Sequence, residues 1–175
     1  MALTNKPKRV LLAKSLGKTS SVMLHGVERA TQTYKQGAFL IDDDAGRITE
    51  STSPIDASAV AKRTLGLAQN DATGTTGQDV ALDFVGEDTV FVGTLSDSTA
   101  GTHTLAQADQ WQTFPITKDP TFSTGFWYLD ANAVSDTGGG LVVGFQGVIG
   151  DVDALVYFIV TTPARGTTNA DSANI

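Results

Sequence analysis

Cysteine is missing from this chain of 175 residues, and histidine occurs only twice, as His25 and His103. Without cysteine the chain forms no disulfide framework, no thiolate metal site and no cysteine nucleophile. The two histidines lie in separate polar stretches, so their spacing predicts neither a catalytic triad nor a two-histidine zinc site. We therefore expect a protein that is not an enzyme and that needs no cofactor and no metal.

Long apolar runs are missing as well. The stretch Val10–Ala13 ends at Lys14 and is too short for the apolar core of a secretory signal. No run reaches the roughly 18 apolar residues that a membrane-spanning helix needs. We expect a soluble protein that is made in a cytoplasm and has no membrane partner.

Basic residues are scarce over most of the chain, with 12 Lys and Arg against 19 Asp and Glu and a net charge of −7. Residues 1–35 nevertheless carry a net +6, which leaves −13 on residues 36–175. The acidic part lacks the clustered cations that phosphates need, so we expect no nucleic-acid partner. The basic part predicts an extended N-terminal arm over residues 1–36 that contacts another molecule, or else a solvated leader. The arm's candidate contact residues are Lys6, Lys8, Arg9, Lys14 and Lys18.

The remaining composition is rich in Thr and Gly, which favours strands and turns. Residues 37–41 and 47–50 flank the acidic turn at 42–46 and predict a hairpin. Val80, Leu82 and Phe84 alternate with other residues, and Thr89–Leu95 follows a short polar turn, which predicts a second, antiparallel hairpin.

One short helix is predicted between these hairpins. Ser53 can cap it, Pro54 occupies its first position, and Asp56 stands at the spacing of a capping box. The apolar pattern then favours about two turns that end by Gly66.

The second half of the chain predicts a linker and irregular segment over 96–124 and additional strands within 125–162. The three strand candidates are Gly125–Asp130, Gly140–Phe145 and Ala154–Val160. A flexible polar tail is expected over 163–175.

Acidic clusters and one lysine motif could suggest ligands, but their spacing does not fit. Asp42, Asp43 and Asp44 are adjacent, whereas a calcium loop needs alternating acids, so turn capping is the better interpretation. Gly17-Lys18-Thr19 lacks the leading glycine of a phosphate loop, because Leu12 stands there.

Three consecutive aromatic residues, Phe126, Trp127 and Tyr128, put rings on both faces of one predicted strand. This pattern predicts either a strand buried on both faces or a strand with one face against a partner subunit, so the three are subunit-interface candidates. A sugar-stacking platform at Trp127 or Trp111 is the third interpretation.

The order of features from Gly37 to Leu95 resembles the head decoration (cement) proteins of tailed bacteriophages. A strand, a turn, a returning strand, a capped helix, a polar turn and a strand pair follow one another in that pattern. The matching positions are Leu65–Ala68, Gly77, Val80, Leu82, Gly86 and Phe91.

The resemblance implies a mainly β fold, with a small β-tulip or barrel-like domain over 37–95, one short helix, extra C-terminal strands and the N-terminal arm. It implies a structural protein on the capsid exterior of the virion, made in the host cytoplasm. The implied partners are the major capsid protein, held by the arm, and two further copies in a homotrimer. A β-rich receptor- or glycan-binding module of a tail fibre or of the virion surface is the alternative, and a hydrolase built on scattered carboxylates ranks last.

Overall fold

The computed structural model describes residues 10–15, 23–43, 45–51, 54–55, 64–86, 89–97, 102–119, 126–132 and 139–161. The predicted mainly β fold is confirmed. The described residues form the strands β1 (Val10–Ser15), β2 (Met23–Glu28), β3 (Phe39–Asp42), β4 (Arg47–Glu50), β5 (Thr64–Ala68), β6 (Asp79–Phe84), β7 (Thr89–Ser96), β8 (Thr113–Phe114), β9 (Ile116–Lys118), β10 (Trp127–Asp130), β11 (Gly140–Phe145) and β12 (Leu155–Val160), with a 3-10 turn at Gln107–Asp109.

Strands β2 to β6 close into a barrel in the order β2-β4-β3-β5-β6. Its pairs are antiparallel except for β2 and β4, which run parallel and pair Val27 with Arg47 and Glu28 with Ile48. Gly66 of β5 allows a close approach to β6, because a Cβ at this position would lie 2.1 Å from the Asp83 carbonyl oxygen.

The other strands form a second sheet in the order β8-β11-β12-β7-β10-β9. Strand β7 is central, because β12 pairs along one edge while β1 and β10 share the other. Strand β1 runs antiparallel to β7 beside residues 89–93, and β10 runs parallel to it beside Leu95 and Ser96.

One hydrophobic core joins the barrel to the second sheet. Phe39 of the barrel meets Trp127 and Phe91 of the second sheet edge-on, with ring centroids 5.6 and 6.0 Å apart. A main-chain bridge between Ile55 and Ile116 crosses the same junction.

The predicted hairpin at 37–50 is confirmed by the antiparallel pairing of β3 and β4. Asp43 caps its turn, since one carboxylate oxygen accepts from the main-chain nitrogens of Ala45 and Arg47, both at 3.0 Å. Burial acts to raise the pKa of the Asp43 carboxyl, but these bonds and the Arg47 guanidinium lower it below its usual value. The turn-capping interpretation therefore holds for Asp43; Asp44 lies outside the described residues.

The predicted hairpin between residues 80 and 95 is wrong. Strand β6 pairs with β2 and β5, whereas β7 pairs with β1, β10 and β12. The short polar turn carries the chain from one sheet to the other, because both flanking strands find longer-range partners. The alternation also fails at its end, where Asp83 is buried and Phe84 is exposed.

The predicted helix does not form at the positions that the structure describes. Pro54 lies in a bend, Ile55 forms the bridge to Ile116, and Thr64–Ala68 is strand β5. The capping residue Ser53 and residues 56–63 lie outside the described part of the chain.

The predicted arm over 1–36 does not hold where the structure describes it. Strand β1 belongs to the second sheet, β2 is a barrel strand, and Tyr34 is a buried core residue. The net charge of residues 1–35 gave no indication of strand β2, because the buried residue of this strand is the charged Glu28. Residues 1–9 and 16–22 of the arm lie outside the described residues.

The other predicted domain limits shift as well. The barrel ends at Phe84 rather than at residue 95, since β7 belongs to the second sheet. The linker predicted over 96–124 contains β8, β9 and the buried residues Leu105, Phe114 and Ile116. The predicted C-terminal strands correspond to β10, β11 and β12, and the tail at 163–175 lies outside the described residues.

Candidate binding surfaces

The basic residues proposed for the arm are only partly placed by the structure. Lys14 lies in β1, next to an irregularity in the pairing with β7 between Leu12 and Lys14. Lys6, Lys8, Arg9 and Lys18 lie outside the described residues. Lys14 therefore lies in a strand of the second sheet and not in a free arm.

The aromatic residues proposed for the subunit interface lie mostly in the core of the single chain. Trp127 and Tyr128 have no exposed surface, and Phe126 is partly exposed. Trp127 packs against Phe39 instead. A subunit contact or a sugar platform is therefore not available to Trp127 or Tyr128, and the buried-strand interpretation is the correct one.

One group of exposed apolar side chains lies in the turn between β11 and β12, which we call the apolar loop (residues 146–154), and another lies on β2 at Met23, Leu24 and Val27. Val148, Ile149 and Val152 are each more than half exposed, at 71%, 53% and 57%. The sequence carried a signal for this surface, since three aliphatic residues stand among Gly and Asp in a turn. Such side chains are normally covered by a partner when they cluster.

The backbone of the apolar loop is firmly held. The Val148 nitrogen donates to the Asp151 carboxylate at 2.8 Å, and the Asp151 nitrogen donates back to the Val148 carbonyl at 2.9 Å. Leu105 exchanges two further main-chain bonds, with Gly150 and Asp151. The loop therefore presents its apolar side chains in a fixed arrangement.

Trp111 is the largest of the exposed hydrophobic residues in the described part of the chain, with 65% of its surface accessible. Its φ of +69° is left-handed, a conformation that bulky residues rarely adopt. The Trp111 nitrogen donates to the Val142 carbonyl at 2.9 Å, and the Val142 nitrogen donates to the Gln112 carbonyl at 3.0 Å. Two residues thus oppose one, as in a β-bulge whose first position is usually glycine.

His103 forms the most enclosed of the histidine contacts. Its Nε2 lies 2.9 Å from Asp109 Oδ2, an oxygen that also accepts from the Ala106 nitrogen at 2.8 Å. Its main chain exchanges two hydrogen bonds with Asp153, which explains the left-handed φ of +50° at Asp153. These contacts tie the segment before the 3-10 turn to the apolar loop.

His25 forms a second pair on the barrel surface, where its Nδ1 lies 2.7 Å from Asp79 Oδ2. Both side chains are mostly exposed, so the pair contributes little to stability. Each histidine thus meets a carboxylate, a contact that the sequence positions of His25 and His103 did not indicate. Each pair links strands or loops, and the contacts described for His25 and His103 include no hydroxyl nucleophile.

Glu28 is the fully buried carboxylate of the barrel, with none of its surface exposed. Its oxygens accept from the Thr73 nitrogen and hydroxyl, both at 2.9 Å, and from the Gly74 nitrogen at 2.6 Å. The nearby Tyr34 is buried, and its hydroxyl has no hydrogen-bond partner among the described residues. The Glu28 carboxylate is thus committed to holding a turn, which is a structural role.

The described part of the chain contains neither a metal-binding cluster nor a membrane-spanning helix. No group of three or more His, Asp or Glu side chains there is placed to hold a metal ion. None of the helical segments described is long and apolar enough to cross a membrane.

Comparison with known proteins returned no relative: no protein-family model, no curated protein and no solved structure matches this chain.

Proposed function

We propose that this protein is a structural virion protein that decorates the outer surface of a phage capsid and binds the major capsid protein. The observation that carries the proposal is the apolar loop, where Val148, Ile149 and Val152 are exposed on a fixed backbone. Exposed aliphatic clusters of this kind favour docking onto another protein over binding of a small substrate. The sequence resemblance over Gly37–Leu95 supplies the class of partner.

The scaffold is suited to such a role. A protein that binds the assembled shell, but not its separate subunits, stabilises the shell by mass action. Because the apolar loop is held by its own carboxylate and by Leu105, little conformational entropy is lost when it docks. Basic residues ahead of β1, among them Lys6, Lys8 and Arg9, add attraction to an acidic shell surface.

Co-sedimentation with expanded capsids of the phage that encodes the chain tests the proposal. The parent protein is expected to pellet with capsids, and the triple variant Val148→Ser, Ile149→Ser, Val152→Ser is expected to bind at least tenfold more weakly. A triple variant of exposed polar positions in the barrel, Thr75→Ala, Thr76→Ala and Gln78→Ala, is the matched control and is expected to bind like the parent.

Two results would contradict the proposal at different levels. If the parent protein stays in the supernatant at every concentration, capsid decoration is wrong. If the parent binds and the serine variant binds equally well, decoration survives but the apolar loop is not its contact. Light scattering tests the proposed homotrimer separately, and a monomer at micromolar concentration would count against a trimer that forms before docking.

A further inference from the structure

We propose that Trp111 is a stacking platform for a neutral sugar ring, which gives the protein a glycan-binding site separate from the apolar loop. The proposal goes beyond capsid decoration and does not depend on it. Trp111 has a left-handed backbone conformation, which is unfavourable for a residue with a side chain.

The first position of this kind of bulge requires a positive φ, which glycine adopts freely and other residues adopt at a cost. Trp111 has φ +69°, and 65% of its surface is exposed, so burial gives back little of that cost. Residues with a strained backbone of this kind cluster at functional sites. The bulge fixes the backbone of Trp111, and with it the direction of the Cα–Cβ bond, since the main chains of both Trp111 and Gln112 bond to Val142.

The chain segment that carries the indole is polar and contains few charges. Residues 102–117 contain no Lys or Arg, and their one acid, Asp109, is buried against His103 and the Ala106 nitrogen. A nucleic acid would need Lys or Arg side chains here, and residues 102–117 carry none. An uncharged ring with one C–H face and several hydroxyls fits an aromatic face with polar neighbours better.

Amide side chains supply the polar groups of this segment. Gln107 Nε2 donates to Gln110 Oε1 at 2.8 Å, which orients both amides within the turn that precedes Trp111. One such bond leaves each amide with further donor and acceptor capacity, which matches the hydroxyl groups of a sugar. Gln112, which is exposed, follows the tryptophan directly.

The chain offers a direct optical readout, because it has two tryptophans and Trp127 is fully buried. An array of neutral hexose and N-acetylhexosamine oligosaccharides identifies binders, and titration with maltohexaose, cellohexaose or chitohexaose follows the exposed indole by fluorescence. We expect binding of at least one of these neutral oligosaccharides, with a change in Trp111 emission.

Three variants make the test decisive. Trp111→Gly suits the left-handed backbone, so it is expected to lose at least tenfold in glycan affinity without a lower melting temperature. Trp111→Phe keeps a smaller ring and is expected to bind with intermediate affinity. Val152→Ser in the apolar loop is the control and is expected to bind glycan like the parent.

The proposal is overturned if no oligosaccharide of the array binds, or if Trp111→Gly binds like the parent. A melting temperature several degrees lower for Trp111→Gly would also overturn it, since the indole would then serve stability. If Trp111→Gly abolishes capsid co-sedimentation while no glycan binds the parent, Trp111 is a protein contact rather than a sugar platform.

Discussion

A single buried carboxylate joins two parts of the barrel that lie far apart in sequence. Glu28, at the end of β2, accepts three hydrogen bonds from Thr73 and Gly74. The residue therefore occupies a core position without being apolar, and the fold tolerates its charge because every bond comes from a fixed donor.

Replacing this carboxylate tests its structural role. Glu28→Gln leaves one carbonyl oxygen for three donors and turns an amide N–H toward a donor that it cannot satisfy. We expect the free energy of unfolding to fall by about 1–3 kcal/mol in urea denaturation. Thr73→Val removes the hydroxyl that donates to Glu28 and accepts from the exposed Thr75 nitrogen, and it is expected to cost less. An unfolding midpoint of Glu28→Gln equal to that of the parent would show that the turn is held by other contacts.

Tyr34 is the second polar group of this region, and its hydroxyl has no partner among the described residues. Burial and, to a smaller extent, the charge of Glu28 raise the pKa of Tyr34 to about 12. The unfolded tyrosine loses its proton near pH 10, so the folded state retains the proton to higher pH. The corresponding stability is present below pH 10 and is lost as the pH rises from about 10 to 12.

Tyr34→Phe is expected to remove this pH dependence. Because the buried hydroxyl has no partner among the residues that the structure describes, its loss is expected to leave stability at pH 7 unchanged or raise it by up to about 1 kcal/mol. Urea unfolding at pH 7 and at several values between 10 and 12 measures both effects, with the partly exposed Tyr157→Phe as the matched variant. A parent and a Tyr34→Phe protein that lose stability in parallel above pH 10 would contradict the assignment.

At the scale of elements, deletions from the N-terminus test which of the first strands the fold requires. Deletion of residues 1–9 leaves β1 intact and is expected to preserve the far-UV circular dichroism spectrum and the melting temperature. Deletion of residues 1–15 removes β1 and opens the edge of β7 at residues 89–93, which is expected to promote aggregation.

Deletion of residues 1–28 also removes β2 and opens the barrel, so this variant is expected not to fold. A folded product with native melting would show that β2 is dispensable and that the arm does reach residue 28. Loss of capsid binding after deletion of residues 1–9 alone would assign the contact to Lys6, Lys8 and Arg9.

Local sequence patterns predicted the strands better than they predicted which strands pair with one another. The hairpin of β3 and β4 was predictable because its turn is fixed by Asp43, a neighbour in sequence. The strands β6 and β7 were predictable as strands, but their partners lie in different sheets, and no local signal encodes that choice.

The candidate binding surfaces also include some features that local sequence predicts and others that it does not. The apolar loop could be predicted from aliphatic residues in a Gly- and Asp-rich turn. The burial of Trp127 was one of the interpretations of the aromatic run, but the exposure of Trp111 could not be predicted, because it depends on which part of the fold covers the residue. The structural role of Glu28 could not be predicted either, since only the folded turn at Thr73 supplies its hydrogen bonds.

At the scale of the whole molecule, the barrel and the second sheet share their core. Phe39 is fully buried in the barrel and contacts Phe91 and Trp127, which lie in two strands of the second sheet. Lys118 of β9 reaches across to Glu50 of β4 at 2.7 Å. A shared core predicts that neither part retains its structure when the other unfolds.

Phe39→Ala tests this coupling, because its cavity lies at the junction and is expected to cost about 3–5 kcal/mol. In a Trp111→Phe background, Trp127 is the remaining tryptophan and reports the second sheet, while far-UV circular dichroism reports all strands. The two urea transitions are expected to coincide before and after Phe39→Ala and to shift together, whereas Phe84→Ala at an exposed barrel position is expected to shift them little. If the fluorescence transition kept its midpoint while the dichroism transition split, the barrel and the second sheet would be independent units. Coincident transitions would instead mean that a partner docking at the apolar loop of the second sheet also stabilises the barrel.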